Sequence, residues 1–150
     1  MKADLSIIVP CYNEEKAIPL YYQEFLKLSD EITYELLFID DGSVDSTEQI
    51  IRQLAEADAR VRYISFSRNF GKEAAIYAAL EHASGSCIAV MDVDLQDPLE
   101  LLMEMYRDVA DGIYDSVATR RVTRKGEPPI RSWFAKLFYR IMRKISNTDI

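Results

Sequence analysis

The sequence contains few of the residues on which most nucleophilic and zinc-dependent enzymes rely. Among 150 residues there is one histidine, His82, and there are two cysteines, Cys11 and Cys87. A single histidine late in a helical pattern cannot complete a Ser-His-Asp or Cys-His constellation, so a structural role is expected for His82. The two cysteines lack the paired spacing of a zinc site.

Glycine-rich phosphate-binding motifs and long apolar runs are also missing. The five glycines form neither the G-x-G-x-x-G pattern of dinucleotide-binding folds nor a P-loop with its lysine. No apolar run is long enough to cross a bilayer, and no leader pattern precedes the first apolar run. Cys11 and Cys87 should lie at opposite ends of parallel strands, so we expect free thiols and a cytoplasmic protein.

Short apolar runs alternate with helical patterns along the chain. Strands are predicted at residues 5–9, 34–39, 61–66, 87–91 and 115–119. This alternation predicts an α/β fold with a mostly parallel, Rossmann-like sheet and helices on both faces. Asp45 or Ser46 is expected to cap the second helix, and Asp45 with Glu48 resembles a capping box. Gly85 is expected to end the third helix.

Carboxylates follow the predicted fourth strand. Asp92 and Asp94 are alternate residues of an extended segment and should therefore share a face. With Gln96 they offer the oxygen ligands that Mg²⁺ or Mn²⁺ prefers. Asp97 before Pro98 is explained as a helix N-cap, which leaves Asp92 and Asp94 as the candidate metal ligands.

Three polar loops, residues 10–14, 40–43 and 92–97, are expected to meet where the strands end, because ligands bind at the carboxyl ends of parallel strands. A turn at this point would explain Gly42 and one of the two aspartates that precede it, but it would not explain the other aspartate. Lys72 and the basic residues at positions 120 and 121 would supply positive charge at this edge of the sheet. This combination suits a nucleotide diphosphate, whose hydroxyls bind acids and whose phosphates bind metal and arginine.

The charge distribution divides the chain into two segments. Residues 120–144 contain nine basic residues and one acid, whereas residues 1–119 contain nine basic and 23 acidic residues. We therefore separate an acidic α/β core, residues 1–119, from a basic loop and amphipathic helix, residues 120–150, that continues the same domain. The basic helix could lie in a membrane interface, or pack on the sheet or on a second subunit.

Four motifs in this order, SIIVPCYNEE, FIDDGSVDST, SRNFGKEAA and MDVDLQDP, resemble the family 2 glycosyltransferases with a GT-A fold. More narrowly, they resemble the transferases that glycosylate polyprenyl phosphates such as bactoprenol or dolichol phosphate. The resemblance implies an enzyme whose sequence continues past Ile150, so the chain is expected to be truncated at its C-terminus. Such a fragment could bind nucleotide weakly without turning over.

The resemblance also implies roles for individual residues. Tyr12 would lie against the base, Asp41 would bind the base edge, Asp40 would order its loop, and Lys72 would reach the base. The residues expected at the nucleotide are Pro10, Tyr12, Glu14, Asp40, Asp41, Lys72 and Asp92. Those expected at the metal are Asp92, Asp94 and Gln96, with Asp94 as the catalytic residue, and those expected at phosphate are Arg120 and Arg131.

The implied reaction is an inverting transfer of a hexose from a nucleotide-diphosphate sugar. UDP-glucose is the first expected donor, and GDP-mannose and other UDP-sugars are the alternatives. The acceptor would be a polyprenyl phosphate at the cytoplasmic membrane face, with Mg²⁺ or Mn²⁺ as cofactor. The basic helix would meet the membrane surface, and a homo-oligomer is a further possible partner. Nucleic acid is not an expected partner.

Three alternatives remain open from the residues alone. The acceptor could be a saccharide hydroxyl. The acidic pair and the later Asp could belong to a receiver-like phosphoacceptor domain, although the fifth predicted strand ends without the required lysine. The basic helix could make the chain a non-catalytic membrane or self-association module.

Overall fold

The computed structural model describes residues 3–27, 32–94 and 99–119. Its sheet has four strands in the order β3-β2-β1-β4, and every pairing is parallel. The strands are β1 (Leu5–Cys11), β2 (Tyr34–Asp40), β3 (Val61–Ser65) and β4 (Cys87–Val90). The α/β class and the parallel sheet predicted from the alternating pattern are confirmed.

Four helices cover the two faces of this sheet: α1 (Ala17–Phe25), α2 (Thr47–Ala57), α3 (Lys72–His82) and α4 (Leu99–Ala110). Side chains of α1, α2 and α4 pack with one face of β1 and β2, and α3 packs on the other. The buried positions of α3 are Ala75 and Ala79, whose small side chains allow a helix to lie close to a sheet. Helices on both faces are therefore confirmed.

Strands β1 and β2 form the centre of the core. All seven side chains of β2 are buried, and so are all those of β1 except Pro10, which is half-buried. Each large apolar side chain buried in this way contributes about 1.5–3 kcal/mol. Apolar runs without alternation are typical of strands covered on both faces, as the sequence indicated.

The fifth predicted strand is wrong. Residues 115–119 form no strand, and nearly all of them are exposed. The neighbouring Ile113 and Tyr114 are also exposed. Within the three described stretches no strand pairs with this segment. A run of two apolar residues, Val117 and Ala118, buries too little surface to hold an extended segment alone.

The start of α2 confirms one of the two predicted N-cap positions but not the capping box. The N-cap residue is Ser46, and its side chain makes no capping bond. Asp45 instead accepts from the backbone N–H of Thr47 (3.0 Å) and from that of Glu15 (3.3 Å). The capping box of Asp45 and Glu48 is therefore wrong, because Asp45 is used to join α2 to the loop after β1.

Gly85 does not end α3 as expected. The helix ends at His82, and the C-cap residue Ala83 already has extended backbone geometry. Gly85 is required for a different reason, since a Cβ atom there would lie 2.5 Å from the backbone nitrogen of Ser6. The glycine allows the chain entering β4 to pass close to β1.

Other predictions are decided by the placement of particular residues. Cys11 and Cys87 are both free, and they lie at opposite ends of neighbouring parallel strands. His82 lies on α3, where its Nδ1 atom is 2.8 Å from the backbone oxygen of Ala78. Within the described ranges, none of the helices has the length and hydropathy needed to cross a bilayer.

Several predicted features lie outside the described residues. These are Gln96, Asp97, Pro98, Arg120, Arg131 and the amphipathic pattern at residues 129–146. Residues up to Val117 belong to one compact unit, and Ala118 begins a second. The division of the chain at residue 119 stays a prediction.

A buried carboxylate, Glu35, fixes the amino-terminal edge of the sheet. It accepts hydrogen bonds from the hydroxyl of Ser6 (2.5 Å), the N–H of Ser84 (2.6 Å) and the guanidinium of Arg62 (2.5 Å). Arg62 also donates to the backbone oxygen of His82 (3.1 Å). These contacts tie the end of α3 to β1, β2 and β3.

The stability of the protein should depend on the ionisation of Glu35. Burial acts to raise its pKa, but the hydrogen bonds from Ser6, Ser84 and Arg62 outweigh burial and lower the pKa from 4.5 to about 2. Because the folded-state pKa is the lower one, the carboxylate stabilises the fold above pH 4.5, and this contribution is lost as the pH falls toward 2. We expect Glu35→Gln to lower the free energy of unfolding at pH 7 by about 2 kcal/mol and to flatten its pH dependence below 4.5.

Urea unfolding between pH 7 and pH 2.5 measures both effects. Glu56→Gln is the matched control, because Glu56 is an exposed glutamate of α2. Parallel pH profiles for the wild type and Glu35→Gln would contradict the assignment.

Candidate active site

The carboxyl-terminal ends of the strands open into one cleft of about 430 Å³. The loops after β1, β2, β3 and β4 all contribute to it. Its lining residues are Pro10, Cys11, Tyr12, Glu14, Asp41, Asn69, Gly71, Lys72, Asp92, Val93 and Asp94. Seven predicted site residues are thus brought together, and their individual roles remain predictions.

The loop after β1 is bonded closely to the loop after β2. Asn13 adopts a left-handed conformation (φ 57°), and its side-chain oxygen accepts from the N–H of Val44 (2.9 Å). Its own N–H donates to the hydroxyl of Ser43 (2.9 Å), and the N–H of Glu14 donates to the hydroxyl of Thr47 (2.8 Å). The two loops therefore form one platform under the cleft.

Asp41 binds the loop that follows β3. It is 4% exposed, and its two oxygens accept from the N–H groups of Phe70 (2.7 Å) and Gly71 (2.9 Å). Gly71 has φ +99°, a conformation that side chains rarely adopt. By binding this loop, Asp41 helps to place Lys72, the residue after Gly71, at the start of α3.

Asp40 lies beneath the loop rather than in the cleft. It is buried, and it accepts from the N–H of Ser43 (3.1 Å) and the hydroxyl of Ser65 (3.0 Å). These contacts have the geometry expected of a residue that orders the loop.

A second recess of about 730 Å³ adjoins this loop. Tyr12, which is 46% exposed, lines both hollows, and so does Asn69. Gly42 (φ +69°) lies against the backbone of Arg68, where a Cβ atom would be 2.3 Å from the carbonyl carbon. The close approach of these two loops shapes this side of the site.

Asp92 and Asp94 line the cleft as alternate residues, and Val93 between them is buried in the core. Asp92 accepts a hydrogen bond from the ammonium of Lys72 at 2.5 Å, and both side chains are about half exposed. Lys72 therefore contacts one predicted metal ligand, Asp92, whereas the resemblance implied contact with the base.

The site has an excess of negative charge. The pKa of Glu14 is raised, first by burial and then by the carboxylates of Asp94, Asp45 and Asp92. Lys72 is the one cation among the residues that line the described cleft. A cation or a basic ligand group entering the cleft would relieve this repulsion.

The oxygen-rich set of Asp92 and Asp94 fits Mg²⁺ or Mn²⁺, and it lacks the histidine or thiolate ligands of a zinc site. Within the described part of the chain, no group of three His, Cys, Asp or Glu residues is arranged to hold a metal ion. Further oxygen ligands would have to come from other groups, of which Gln96 is the predicted one.

The sequence did not single out several residues of the site. Asn69 and Gly71 line the cleft through the loop after β3, and Ser43 and Thr47 hold the platform together. The sequence feature that could have identified them is that they belong to the same short motifs as the predicted residues. Cys11 also lines the cleft, but burial raises the pKa of its thiol strongly, which disfavours a nucleophilic role.

Solved structures share this architecture. The S. aureus protein TarS (residues 1–349), in complex with UDP-GlcNAc, superposes with a TM-score of 0.62 at 25% identity, over 83% of this chain and 37% of that one. The mannosyltransferase PcManGT of Pyrobaculum calidifontis, with GDP-Man and Mn²⁺, has a TM-score of 0.55 at 24% identity, over 65% and 34% of the two chains. The fold is the GT-A type that the resemblance implied.

Relatives are found at higher identity. The chain is 44% identical to the uncharacterized glycosyltransferase YkcC of Bacillus subtilis, over 97% of this chain and 45% of the relative. It is 42% identical to the prophage bactoprenol glucosyl transferase homolog of Escherichia coli K12, and 41% identical to the bactoprenol glucosyl transferase of Shigella phage SfV. Each of these two alignments covers 97% of this chain and 48% of the relative, so the chain spans about half the length of these curated relatives.

A sequence model of glycosyl transferase family 2 matches residues 6–149, nearly the whole chain. All four motifs and every residue of the cleft fall within this match. The chain therefore belongs to glycosyl transferase family 2.

Proposed function

We propose that the chain is the donor-binding part of an inverting glycosyltransferase that moves a hexose from a nucleotide-diphosphate sugar to a polyprenyl phosphate. The observation that carries this proposal is the convergence of Glu14, Asp41, Asp92 and Asp94 with Lys72 in one cleft at the carboxyl edge. The names of the bactoprenol glucosyl transferases, at 41–42% identity, support the acceptor class and glucose. The family match gives no support to a receiver-like phosphoacceptor domain.

The donor would lie across the loops after β1, β2 and β3. Tyr12 is exposed between the two recesses, where an aromatic ring can stack on a nucleobase. Asp41 would act at the base through the loop that it anchors, and each of its oxygens retains a lone pair for a base N–H. UDP-glucose is the proposed donor, and the nucleotide-binding residues are those predicted from the motifs.

A divalent ion, Mg²⁺ or Mn²⁺, would be held by Asp92, Asp94 and Gln96, and it would neutralise charge on the donor diphosphate. Asp94 is the proposed catalytic residue, because its carboxylate lines the cleft beside the predicted diphosphate position. Arg120 and Arg131 would bind the donor or acceptor phosphate. Charge on the departing nucleoside diphosphate is thereby stabilised.

The bond changes follow from an ionic acceptor. A phosphate oxygen of the polyprenyl phosphate attacks the anomeric carbon from the face opposite the leaving group. The bond from that carbon to the diphosphate oxygen breaks, and the nucleoside diphosphate leaves with the electron pair. Since the attacking oxygen is already anionic at pH 7, the enzyme needs no strong general base. The reaction would take place at the cytoplasmic face of the membrane, with residues 120–150 toward its surface.

The donor site can be tested by titrating UDP and GDP into the chain with and without Mn²⁺ in a calorimeter. We expect metal-dependent binding of UDP, and at least a tenfold loss of affinity in Asp92→Ala/Asp94→Ala, about 1.4 kcal/mol. The control is Asp111→Ala/Asp115→Ala, which removes the same charge from exposed positions outside the cleft. Equal affinity in both double variants, or no UDP binding by the folded wild type, would contradict the proposal.

A second prediction concerns Asp41. Its replacement by alanine leaves two backbone N–H groups without their acceptor, so we expect about 2 kcal/mol of lost stability and weaker UDP binding. Amide hydrogen exchange should increase selectively at Phe70 and Gly71. Unchanged exchange at both amides would show that Asp41 does not hold this loop, whatever the effect on UDP.

A further inference from the structure

One contact in the cleft joins a predicted metal ligand to a cation of the chain itself. The Nζ atom of Lys72 is 2.5 Å from Oδ1 of Asp92. A divalent ion held by Asp92 and Asp94 would need this same carboxylate. A bound ion and the Lys72 ammonium therefore compete for the same carboxylate.

The position of Lys72 is imposed by its surroundings. It is the first residue of α3, and it follows Gly71, whose N–H is bound by the buried carboxylate of Asp41. The main chain of Lys72 is thus held while its long side chain remains 52% exposed. The ammonium can move without any change in the backbone.

The charges around this contact favour a resident cation. Asp92, Asp94 and Glu14 line the cleft, and Asp45 also contributes to the raised pKa of Glu14. The nearby Arg68 packs its guanidinium over the ring of Phe70, 4.7 Å from the ring centroid. Among the described residues that line the cleft, Lys72 is the cation that can offset its carboxylates.

We propose that Lys72 is a built-in counter-ion which a divalent cation must displace from Asp92, and which then binds the donor diphosphate. This inference rests on the proposed function for the identity of the displacing ligands. It makes Lys72 a positioning residue that couples metal binding to donor binding. Without nucleotide the metal competes with Lys72, whereas with nucleotide the displaced ammonium gains a phosphate partner.

The competition should be modest in size because both partners are half exposed. Exposed ion pairs of this kind correspond to roughly a two- to fivefold effect on an equilibrium constant. By linkage, the factor by which nucleotide strengthens metal binding equals the factor by which metal strengthens nucleotide binding. Removing the Lys72 charge should reduce that shared factor.

The test uses Mn²⁺ alone, with free Mn²⁺ followed by electron paramagnetic resonance, and then Mn²⁺ with UDP. Lys72→Met removes the charge, and Lys72→Arg keeps it. Lys27→Met is the matched control, because Lys27 also forms an exposed ion pair with an acid, Glu24, at the end of α1 and outside the cleft. Each variant is also made in an Asp92→Asn background.

We expect Lys72→Met to bind Mn²⁺ alone about two to five times more tightly than wild type, with Lys72→Arg and Lys27→Met unchanged. The gain should vanish in the Asp92→Asn background, and UDP should strengthen Mn²⁺ binding less in Lys72→Met than in wild type. Equal Mn²⁺ affinities in wild type and Lys72→Met, weak or tight, would overturn the proposal. A gain in Mn²⁺ affinity that persists with Asp92→Asn would overturn it too. The gain would then come from the change in the overall charge of the cleft and not from the contact between Lys72 and Asp92.

Failure of the proposed function has a different signature. If the folded wild type binds no UDP, the donor-site assignment fails, while the measurement with Mn²⁺ alone still decides whether Lys72 competes for Asp92. If UDP binds with Mn²⁺ but Lys72→Met behaves as wild type, the donor site stands and the counter-ion role is wrong.

Discussion

Strand β1 is hydrogen-bonded in parallel to β2 on one side and to β4 on the other, and the geometry of the site depends on this double pairing. Cys11 lies opposite Asp40, and Ile8 lies opposite Val90. Since all the strands run in one direction, the loops after β1, β2 and β4 leave the same edge of the sheet. Packing on both faces of β1 and β2 holds this register, because a slip of one residue would exchange the faces on which their buried side chains pack.

Gathering acidic loops at one edge has an electrostatic cost, and the structure meets it differently for each carboxylate. Asp41 is buried and satisfied by two backbone N–H groups. Asp92 is exposed and paired with Lys72. Around Glu14, burial together with the carboxylates of Asp94, Asp45 and Asp92 raises its pKa. The unrelieved part of this charge is what a metal ion or the cationic part of a ligand can use.

The opposite edge of the sheet shows the same residue type serving stability. Glu35 accepts bonds from Ser6, Ser84 and Arg62, and its pKa is lowered to about 2, although burial acts in the other direction. A buried and fully bonded carboxylate has little capacity left to bind a ligand, whereas Asp92 and Asp94 line an open cleft. Stability and binding are thus separated along the strands of a single sheet, with the stabilising Glu35 at one end and the candidate binding cleft at the other.

The order of apolar runs and helical patterns was sufficient to predict the class, the parallel sheet and the meeting of the loops after β1, β2 and β4, because alternation and burial are local properties. The four motifs themselves were identified through the resemblance to a known family. Contacts between distant segments could not be predicted in this way. Three contacts join segments that the sequence separates: the hydrogen bond from the N–H of Glu15 to Asp45, the close approach of Gly85 to Ser6 and the pairing of Lys72 with Asp92. The sequence alone therefore determined which chemical groups this family 2 protein brings to the edge of its sheet. The tertiary structure decided which of them are already satisfied by neighbours, since the partner of a charge depends on distance in space and not on spacing along the chain.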